Sequence, residues 1–176
     1  GNIGEIVSIY ARRNLPAWVT EDVLEKIGPI SGDAVHDTDL MLWYTSANIK
    51  TAYGQTHRVR DKKFPDIGWI MYRFDNGAIG VCEVVWALPV KSPFQIDERM
   101  QIVGTTGSIQ IHDTAPNLLV VDQESARHPD TTYWPELHGQ RVGALRSEWE
   151  YFLKCIAADT EPSVVSPTDS RAAVAA

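Results

Sequence analysis

The sequence has few cysteines, no long apolar run and no excess of positive charge, and each lack excludes a class of protein. Its two cysteines, Cys82 and Cys155, form neither a metal-binding nor a redox spacing, so we expect reduced core thiols in a cytoplasmic protein. The absence of a run of about 18 apolar residues argues against a membrane-spanning helix, and the first residues lack the charged-then-apolar pattern of a signal peptide. The 16 basic residues are outnumbered by 23 acidic ones, so the net charge of -7 argues against a nucleic-acid partner.

The common motifs of catalysis and cofactor binding are also missing. The chain contains no Gly-x-Gly-x-x-Gly after a strand, no phosphate-binding loop, no zinc-ligand spacing and no nucleophile elbow. Its one basic cluster, His57 to Lys63, contains its own Asp61 and is interpreted as the solvated end of a strand. We therefore assign no cofactor-binding residue and no metal ligand within this chain.

What is present is enough apolar material for one globular domain, since 44% of the 176 residues are hydrophobic. Ile6 to Ala11 is rich in β-branched and aromatic residues and predicts a first strand. From Ile49 to about Asp122 the pattern has the period of strands, which predicts a sheet. Turn residues within this region predict two hairpins, Trp69 to Phe74 with Ala78 to Trp86 and Arg99 to Val103 with Ser108 to His112.

Helical spacing recurs in several segments. Residues 33 to 46 predict a buried helix with Asp33 as its N-cap, and a short helix is predicted from Thr20 to Lys26. Leu145 to Ala158 predicts an amphipathic helix, and Ser166-Pro167 predicts the start of a last one. Because that last helix has no cap before the final residue, we expect the natural chain to continue.

Four polar residues of the predicted buried helix form the first candidate site: Asp33, His36, Asp37 and Asp39. A helix places the carboxylates at positions 33 and 39 within reach of the imidazole. A carboxylate beside a histidine fixes its tautomer and favours its charged form, which suits a general base. Two other interpretations stay open: the aspartates cap the helix while the histidine is structural, or the cluster binds a metal ion.

The second candidate site combines the end of the first strand with a loop. The loop from Glu124 to Arg141 is long and polar, and loops of that length are often functional. Arginine and asparagine can hydrogen-bond hydroxyl groups, and aromatic rings can stack on sugars, although a loop aromatic can equally cover a core. The candidate residues for substrate recognition are Arg12, Arg13, Asn14, Trp134 and His138.

With these residues in view, the chain resembles the C-terminal domain of the Gfo/Idh/MocA family of NAD(P)-dependent dehydrogenases and reductases of sugars, inositols and related polyols. The resemblance covers nearly the whole chain and rests on the order of five pieces: GNIGEIVSIYAR, HDTDLMLWYTSA, FDNGAIGVCEVVW, MQIVGTTGSIQI and GALRSEWEYFLKCIAADTEPSVVSPTDSRAAV. It implies an α+β fold, an open and mostly antiparallel sheet with helices on one face. It also implies a homodimer or homotetramer contact through the other face.

The same resemblance implies a role for individual residues. His36 matches the family's substrate-facing histidine, which removes the hydroxyl proton as hydride leaves the same carbon. The family often places an aspartate four residues earlier, where this sequence has Gly32, so Asp33 matches imperfectly and is either catalytic or only a helix cap. Asp39 matches the aspartate after the histidine and is interpreted as a substrate-site residue that orients the helix or the ring. Arg12, Arg13, Trp134 and His138 lie where the family tends to line its substrate pocket.

The resemblance further implies a Rossmann domain that precedes this chain and carries NAD or NADP together with the catalytic lysine. We therefore expect residues 1–176 to form a substrate-binding and oligomerisation domain that is inactive alone. Two alternatives remain at this stage: a non-catalytic oligomerisation or regulatory scaffold, and an NAD-using glycosidase. The sequence does not distinguish NAD from NADP, because the residue that contacts the ribose belongs to the other domain.

Overall fold

The computed structural model of the chain describes residues 1–112 and 118–176. They fall into two compact units, Gly1–Ala115 with Arg171–Ala176, and Pro116–Ser170. Residues 113–117 belong to the region for which a sheet is predicted, and they lie outside the described residues.

The first unit is built on a six-stranded sheet with the order β2-β3-β4-β1-β5-β6. The strand β1 lies inside the sheet, parallel to β4 on one side and antiparallel to β5 on the other, and the remaining neighbours pair antiparallel. The predicted open and mostly antiparallel sheet is thereby confirmed. The strands are β1 (Ile6–Asn14), β2 (Ile49–His57), β3 (Ile67–Phe74), β4 (Ile79–Val85), β5 (Asp97–Gly104) and β6 (Ser108–His112).

Both predicted hairpins are present. The β3–β4 turn closes at Gly77, whose φ of 92° lies in the left-handed region that glycine tolerates best, and Asn76 accepts a hydrogen bond from the backbone of Ala78. In the β5–β6 hairpin, Arg99 lies opposite His112 and Val103 opposite Ser108. Local turn chemistry and a period of two therefore specify these strands.

One face of the sheet is covered by the helix α1 (Val35–Thr45). Alternate residues of the central strands are buried beneath it, among them Ile9, Ala11, Cys82 and Val84. The approach is close, because a Cβ atom at Gly80 would lie 2.8 Å from the sulfur of Met41. The prediction that helices pack on one face is confirmed for α1.

The opposite face of the sheet carries a polar network at its centre. Glu83 on β4 accepts hydrogen bonds from the Tyr10 hydroxyl and from Asn14 Nδ2. Burial and this hydrogen bond raise the pKa of Tyr10 to about 12. Towards β3, Trp69 and Met71 are exposed on the same face.

The connection between β1 and α1 differs from the predicted helix over residues 20 to 26. It contains two 3-10 turns, Ala17–Thr20 and Val23–Glu25, followed by one π-helical turn, Ile30–Ala34. The buried Thr20 hydroxyl donates to the carbonyl groups of Ala17 and Trp86 and so fixes the first turn against the end of β4. This tertiary anchor replaces a regular helix.

The second unit contains the helix α2 (Ala144–Ala157) and two small strand pairs. The loop predicted from 124 to 141 is organised around Asp130, which accepts backbone hydrogen bonds from the three residues 132 to 134. The last helix, α3 (Pro167–Ala175), has a capping box in which Ser166 and Asp169 bond each other's backbone N–H groups. The short strands are β7 (Val120–Val121), β8 (Ala126–Arg127), β9 (Glu136–Leu137) and β10 (Gln140–Arg141).

Candidate active site

The candidate site lies at the junction of the π-helical turn with α1. The expected cap at Asp33 is absent, since the residue before α1 is Ala34 and no side-chain cap bond is formed there. Asp33 belongs instead to the π-helical turn, whose wider backbone path differs from that of an α-helix at the same point. The direction in which Asp33 points is therefore set by this turn and by its tertiary partner.

That partner is Trp86, at the end of β4. Its indole N–H donates to Asp33 Oδ2 at 2.6 Å, and the ring is only 3% exposed. The ring also fills the space beside Gly32, where an added Cβ would lie 2.6 Å from the ring carbon Cη2. Burial raises the pKa of Asp33, although the Trp86 hydrogen bond and the nearby charges of Arg13 and His36 oppose that rise.

A second buried carboxylate anchors the first turn of α1 to the sheet. Asp37 accepts two hydrogen bonds from Arg13, from Nε at 3.3 Å and from Nη2 at 3.1 Å. The same guanidinium bonds Glu98 on the neighbouring strand β5. Burial raises the pKa of Asp37 despite the charge and hydrogen bonds of Arg13. Arg13 is thus one cation between two carboxylates, beneath the helix that carries His36.

His36 itself is exposed, whereas Asp37 beside it is buried. Its charged form interacts electrostatically with both Asp33 and Asp37. Asp39 is half-buried one turn further along α1. The structure therefore brings Asp33, His36 and Arg13 into one electrostatic cluster, in which the imidazole is the most exposed group.

Arg12 and Asn14 lie on the other face of the sheet, because successive side chains of a strand point to opposite faces. Arg12 is bound to Asp97, and Asn14 bonds Glu83 as well as the backbone N–H of Val85. Neither residue joins the cluster around His36. Of the three residues predicted at the end of β1, only Arg13 does.

Trp134 and His138 belong to the second unit. Both are exposed, and His138 has a positive φ of 52° in the β9–β10 turn, next to Gly139. Their part in substrate recognition stays a prediction.

Two contributors to the site were missed from the sequence. Trp86 was named only as the last residue of a predicted hairpin strand, and Glu98 was not singled out. Their contacts join residues 53 and 85 positions apart in the chain, and neither contact leaves a local pattern. The local signal for Trp86 is its place at the end of a predicted strand that is apolar apart from Glu83.

Among residues 1–112 and 118–176, no group of three or more histidine, cysteine, aspartate or glutamate side chains is placed to hold a metal ion. No helix in the same ranges is long and apolar enough to cross a membrane. Cys82 and Cys155 are both buried and free. The chemistry available at the site is accordingly that of an exposed imidazole near the half-buried Asp33 and the buried Asp37.

The sequence and the structure were compared with known proteins. The family model described as the GFO/IDH/MocA C-terminal domain matches residues 1–110. The comparison with curated proteins found no match.

Among solved structures, the myo-inositol 2-dehydrogenase of Lactobacillus plantarum is 17% identical, with a TM-score of 0.73 over 99% of this chain and 53% of that one. The scyllo-inositol dehydrogenase of Lactobacillus casei, solved with NAD(H) and scyllo-inositol, is 15% identical, with a TM-score of 0.69 and coverages of 99% and 53%. GenD2 from gentamicin A biosynthesis, in complex with NAD, is 16% identical, with a TM-score of 0.75 and coverages of 99% and 52%. The chain spans about half the length of these structures, which share its fold.

Proposed function

The chain belongs to the GFO/IDH/MocA C-terminal domain family, and from that membership we propose that it is the substrate-binding half of an oxidoreductase. The proposed reaction transfers hydride between NAD or NADP and a sugar, an inositol or a related polyol. The observation that carries the proposal is the exposed His36 on a helix whose neighbouring carboxylate is buried and bonded to the sheet. A base of this kind must be reachable by substrate and yet held in a fixed direction.

In this proposal, His36 takes the proton of the substrate hydroxyl. Asp37 and Arg13 have no contact with substrate and act by fixing the first turn of α1 on β1. Asp39 stays assigned to the orientation of the helix or ring. A correctly placed general base of this type contributes roughly 10² to 10⁴ in rate.

Asp33 is proposed to supply the carboxylate that the family resemblance places one position earlier. A side chain at position 32 would overlap the ring of Trp86, whereas Asp33 receives the hydrogen bond of that same ring. The π-helical turn sets the backbone path that carries Asp33 to the His36 cluster. We assign Asp33 the role of a substrate-hydroxyl acceptor beside the base.

The residues of this chain do not fit a dinucleotide, because the sequence has no glycine-rich turn for a pyrophosphate. The oxidant in the proposal is therefore a nicotinamide bound by a domain outside this chain. Solved structures that share the fold carry NAD or NAD(H), which supports this choice of cofactor class.

The open face of the sheet is proposed as the contact between copies, in a homodimer or homotetramer. Its exposed aromatic and apolar side chains, Tyr53, Trp69 and Met71, lie on β2 and β3, to one side of the hydrogen-bonded centre at Glu83. Interfaces of this kind combine apolar area with polar groups that are already paired. The proposal also retains a cytoplasmic location, since both cysteines are free.

The experiment uses the full product of the gene that encodes this chain. Reduction of NAD⁺ and of NADP⁺ is followed with a panel of inositols and sugars, for the wild type and for His36→Ala. We expect His36→Ala to lower kcat by at least a hundredfold, whereas His57→Ala, which changes an exposed histidine at the end of β2, leaves kcat unchanged.

Unchanged turnover in His36→Ala would contradict the general-base role. A cofactor that returns unchanged after product has formed would indicate the glycosidase alternative. If no substrate of the panel is turned over, while the protein is oligomeric and folded, the scaffold alternative is favoured.

A further inference from the structure

A cavity of about 360 Å³ opens beside Asp33 within the first unit. Its walls include the aliphatic side chains of Leu15, Val19, Val23 and Ile27, and the ring of Trp86 also lines it. The volume lies within the range of small-molecule sites. Because Asp33 lines this cavity and also interacts with His36, the cavity adjoins the site proposed above.

We propose that this cavity binds an apolar substituent of the substrate, so that the substrate is a deoxygenated or alkylated polyol or sugar rather than a fully hydroxylated one. The inference rests on the proposed function and narrows its substrate class. A substrate hydroxyl in contact with the four aliphatic side chains would lose hydrogen bonds to water, and these side chains offer no donor or acceptor in exchange. Burying a hydroxyl without a hydrogen-bond partner is unfavourable.

The polar side chains that line the cavity are those of Thr20, Ser31 and Asp33. The Thr20 hydroxyl is engaged with two backbone carbonyl groups and with Arg60. Asp33 accepts the indole N–H of Trp86 through Oδ2, and a carboxylate can accept several further hydrogen bonds. The cavity therefore suits a ligand that presents hydroxyl groups to Asp33 and Ser31 and an apolar surface to the four aliphatic side chains.

The shape of the cavity depends on Gly32. A methyl group there would come within 2.6 Å of Trp86 Cη2 and 2.9 Å of Cζ2, so the ring would have to move. Moving the ring would also break its hydrogen bond to Asp33. Gly32 and Trp86 are thus specificity-determining residues in this proposal.

Two probes with the same six-membered carbon ring test the inference: cyclohexanol, with one hydroxyl, and myo-inositol, with a hydroxyl on every carbon. Each is titrated into the methyl-labelled full gene product and followed by NMR. We expect cyclohexanol to shift the methyl signals of Val19, Val23 and Ile27 and the indole N–H signal of Trp86. Myo-inositol at the same concentration should leave the three methyl signals in place.

Val19→Thr introduces one hydroxyl at nearly constant shape and is expected to weaken cyclohexanol binding about tenfold. Val7→Thr is the matched control, because Val7 is exposed on β1 and does not line the cavity, and it should bind like the wild type. Gly32→Ala should shift the Trp86 indole signal before any ligand is added. Equal methyl shifts with both probes, or equal affinity in Val19→Thr and Val7→Thr, would overturn the proposal.

The readout needs neither cofactor nor turnover, so it separates this inference from the function on which it rests. His36→Ala should bind cyclohexanol normally while losing turnover. If turnover depends on His36 but cyclohexanol leaves the cavity signals unchanged, the subsite is wrong and the function stands. If cyclohexanol binds in the cavity but His36→Ala turns over polyols normally, the assigned base is wrong and the cavity stands.

Discussion

The ion pair between Arg13 and Asp37 allows a quantitative prediction about the first unit. In Arg13→Met, the aliphatic stem is kept and the guanidinium is lost. The side chain of Asp37 is only 3% exposed, whereas that of Glu98 is 20% exposed and can reach water. An unpaired buried charge costs about 3 to 5 kcal/mol, so we expect the free energy of unfolding to fall by about 3 kcal/mol at pH 7.

The loss should depend on pH in a defined direction. Burial already raises the pKa of Asp37 above its usual 3.8, and removal of the Arg13 charge raises it further. The pKa of Asp37 is therefore higher in the folded chain than in the unfolded chain. At pH values between the two, the folded chain binds more protons than the unfolded chain, so the free energy of unfolding falls as the pH rises. The deficit of Arg13→Met should therefore be smaller at pH 5 than at pH 7.

Urea denaturation followed by far-UV circular dichroism measures this at both pH values. The double variant Arg13→Met with Asp37→Leu removes both charges, and replacing a buried pair by apolar residues is often nearly neutral. If the two substitutions acted independently, the double variant would lose the sum of the losses in unfolding free energy of the two single variants. We expect its loss to be smaller than that sum by at least about 2 kcal/mol. The account of this ion pair would be refuted if the losses of unfolding free energy in the two single variants simply added in the double variant. It would also be refuted if the loss in Arg13→Met were the same at pH 5 and pH 7.

Three further predictions concern other parts of the first unit. Asp66→Asn should lower the free energy of unfolding by about 2 kcal/mol at neutral pH, because the side chain is buried and accepts three hydrogen bonds. Burial would raise the pKa of Asp66, but its hydrogen bonds outweigh burial and lower the pKa. The contribution of Asp66 to the free energy of unfolding is therefore present above about pH 4 and lost as the pH falls below it. A loss of stability in Asp66→Asn that is equal at pH 3 and at neutral pH, measured in urea titrations, would contradict this. Gly80→Ala should cost about 1 to 3 kcal/mol in the same assay because its Cβ would press on Met41, while Gly54→Ala, which meets only ordinary contacts, should cost less. Burial raises the pKa of Cys82 to about 12, so a thiol reagent at pH 8 should label Cys82 only after the chain unfolds. Mass spectrometry locates the label, and rapid labelling of Cys82 in the native chain would refute this prediction.

The sequence predicted the sheet better than it predicted the ends of the strands. Both hairpins were correct because their turn residues and period of two are local signals. The first strand was ended at Ala11, whereas β1 runs to Asn14. A polar run such as residues 12 to 14 looks like a loop until its partners are known. The ion pairs of Arg13 join it to residues 24 and 85 positions away.

The candidate site shows the same division between local and distant causes. His36 was named as a candidate because carboxylates lie near it in the sequence and because the order of motifs resembles the family, and its role stays a prediction. Asp33 was predicted to be either catalytic or only a helix cap, and the cap is absent. Its actual partner is Trp86, and their contact follows from the strand that brings the indole to the π-helical turn. A pattern within one turn of helix cannot contain that information.

The central place of β1 in the sheet has a consequence for how the chain folds. β3 with β4 and β5 with β6 are neighbours in sequence, so each hairpin can close early. β1 precedes both hairpins in the sequence, yet its partners begin at Ile79 and at Asp97, and it joins the two hairpins only after both exist. Until then each hairpin has an unpaired edge that can pair with another chain. We therefore expect the docking of β1 to limit the folding rate of this unit, which should be most prone to aggregation just before that step.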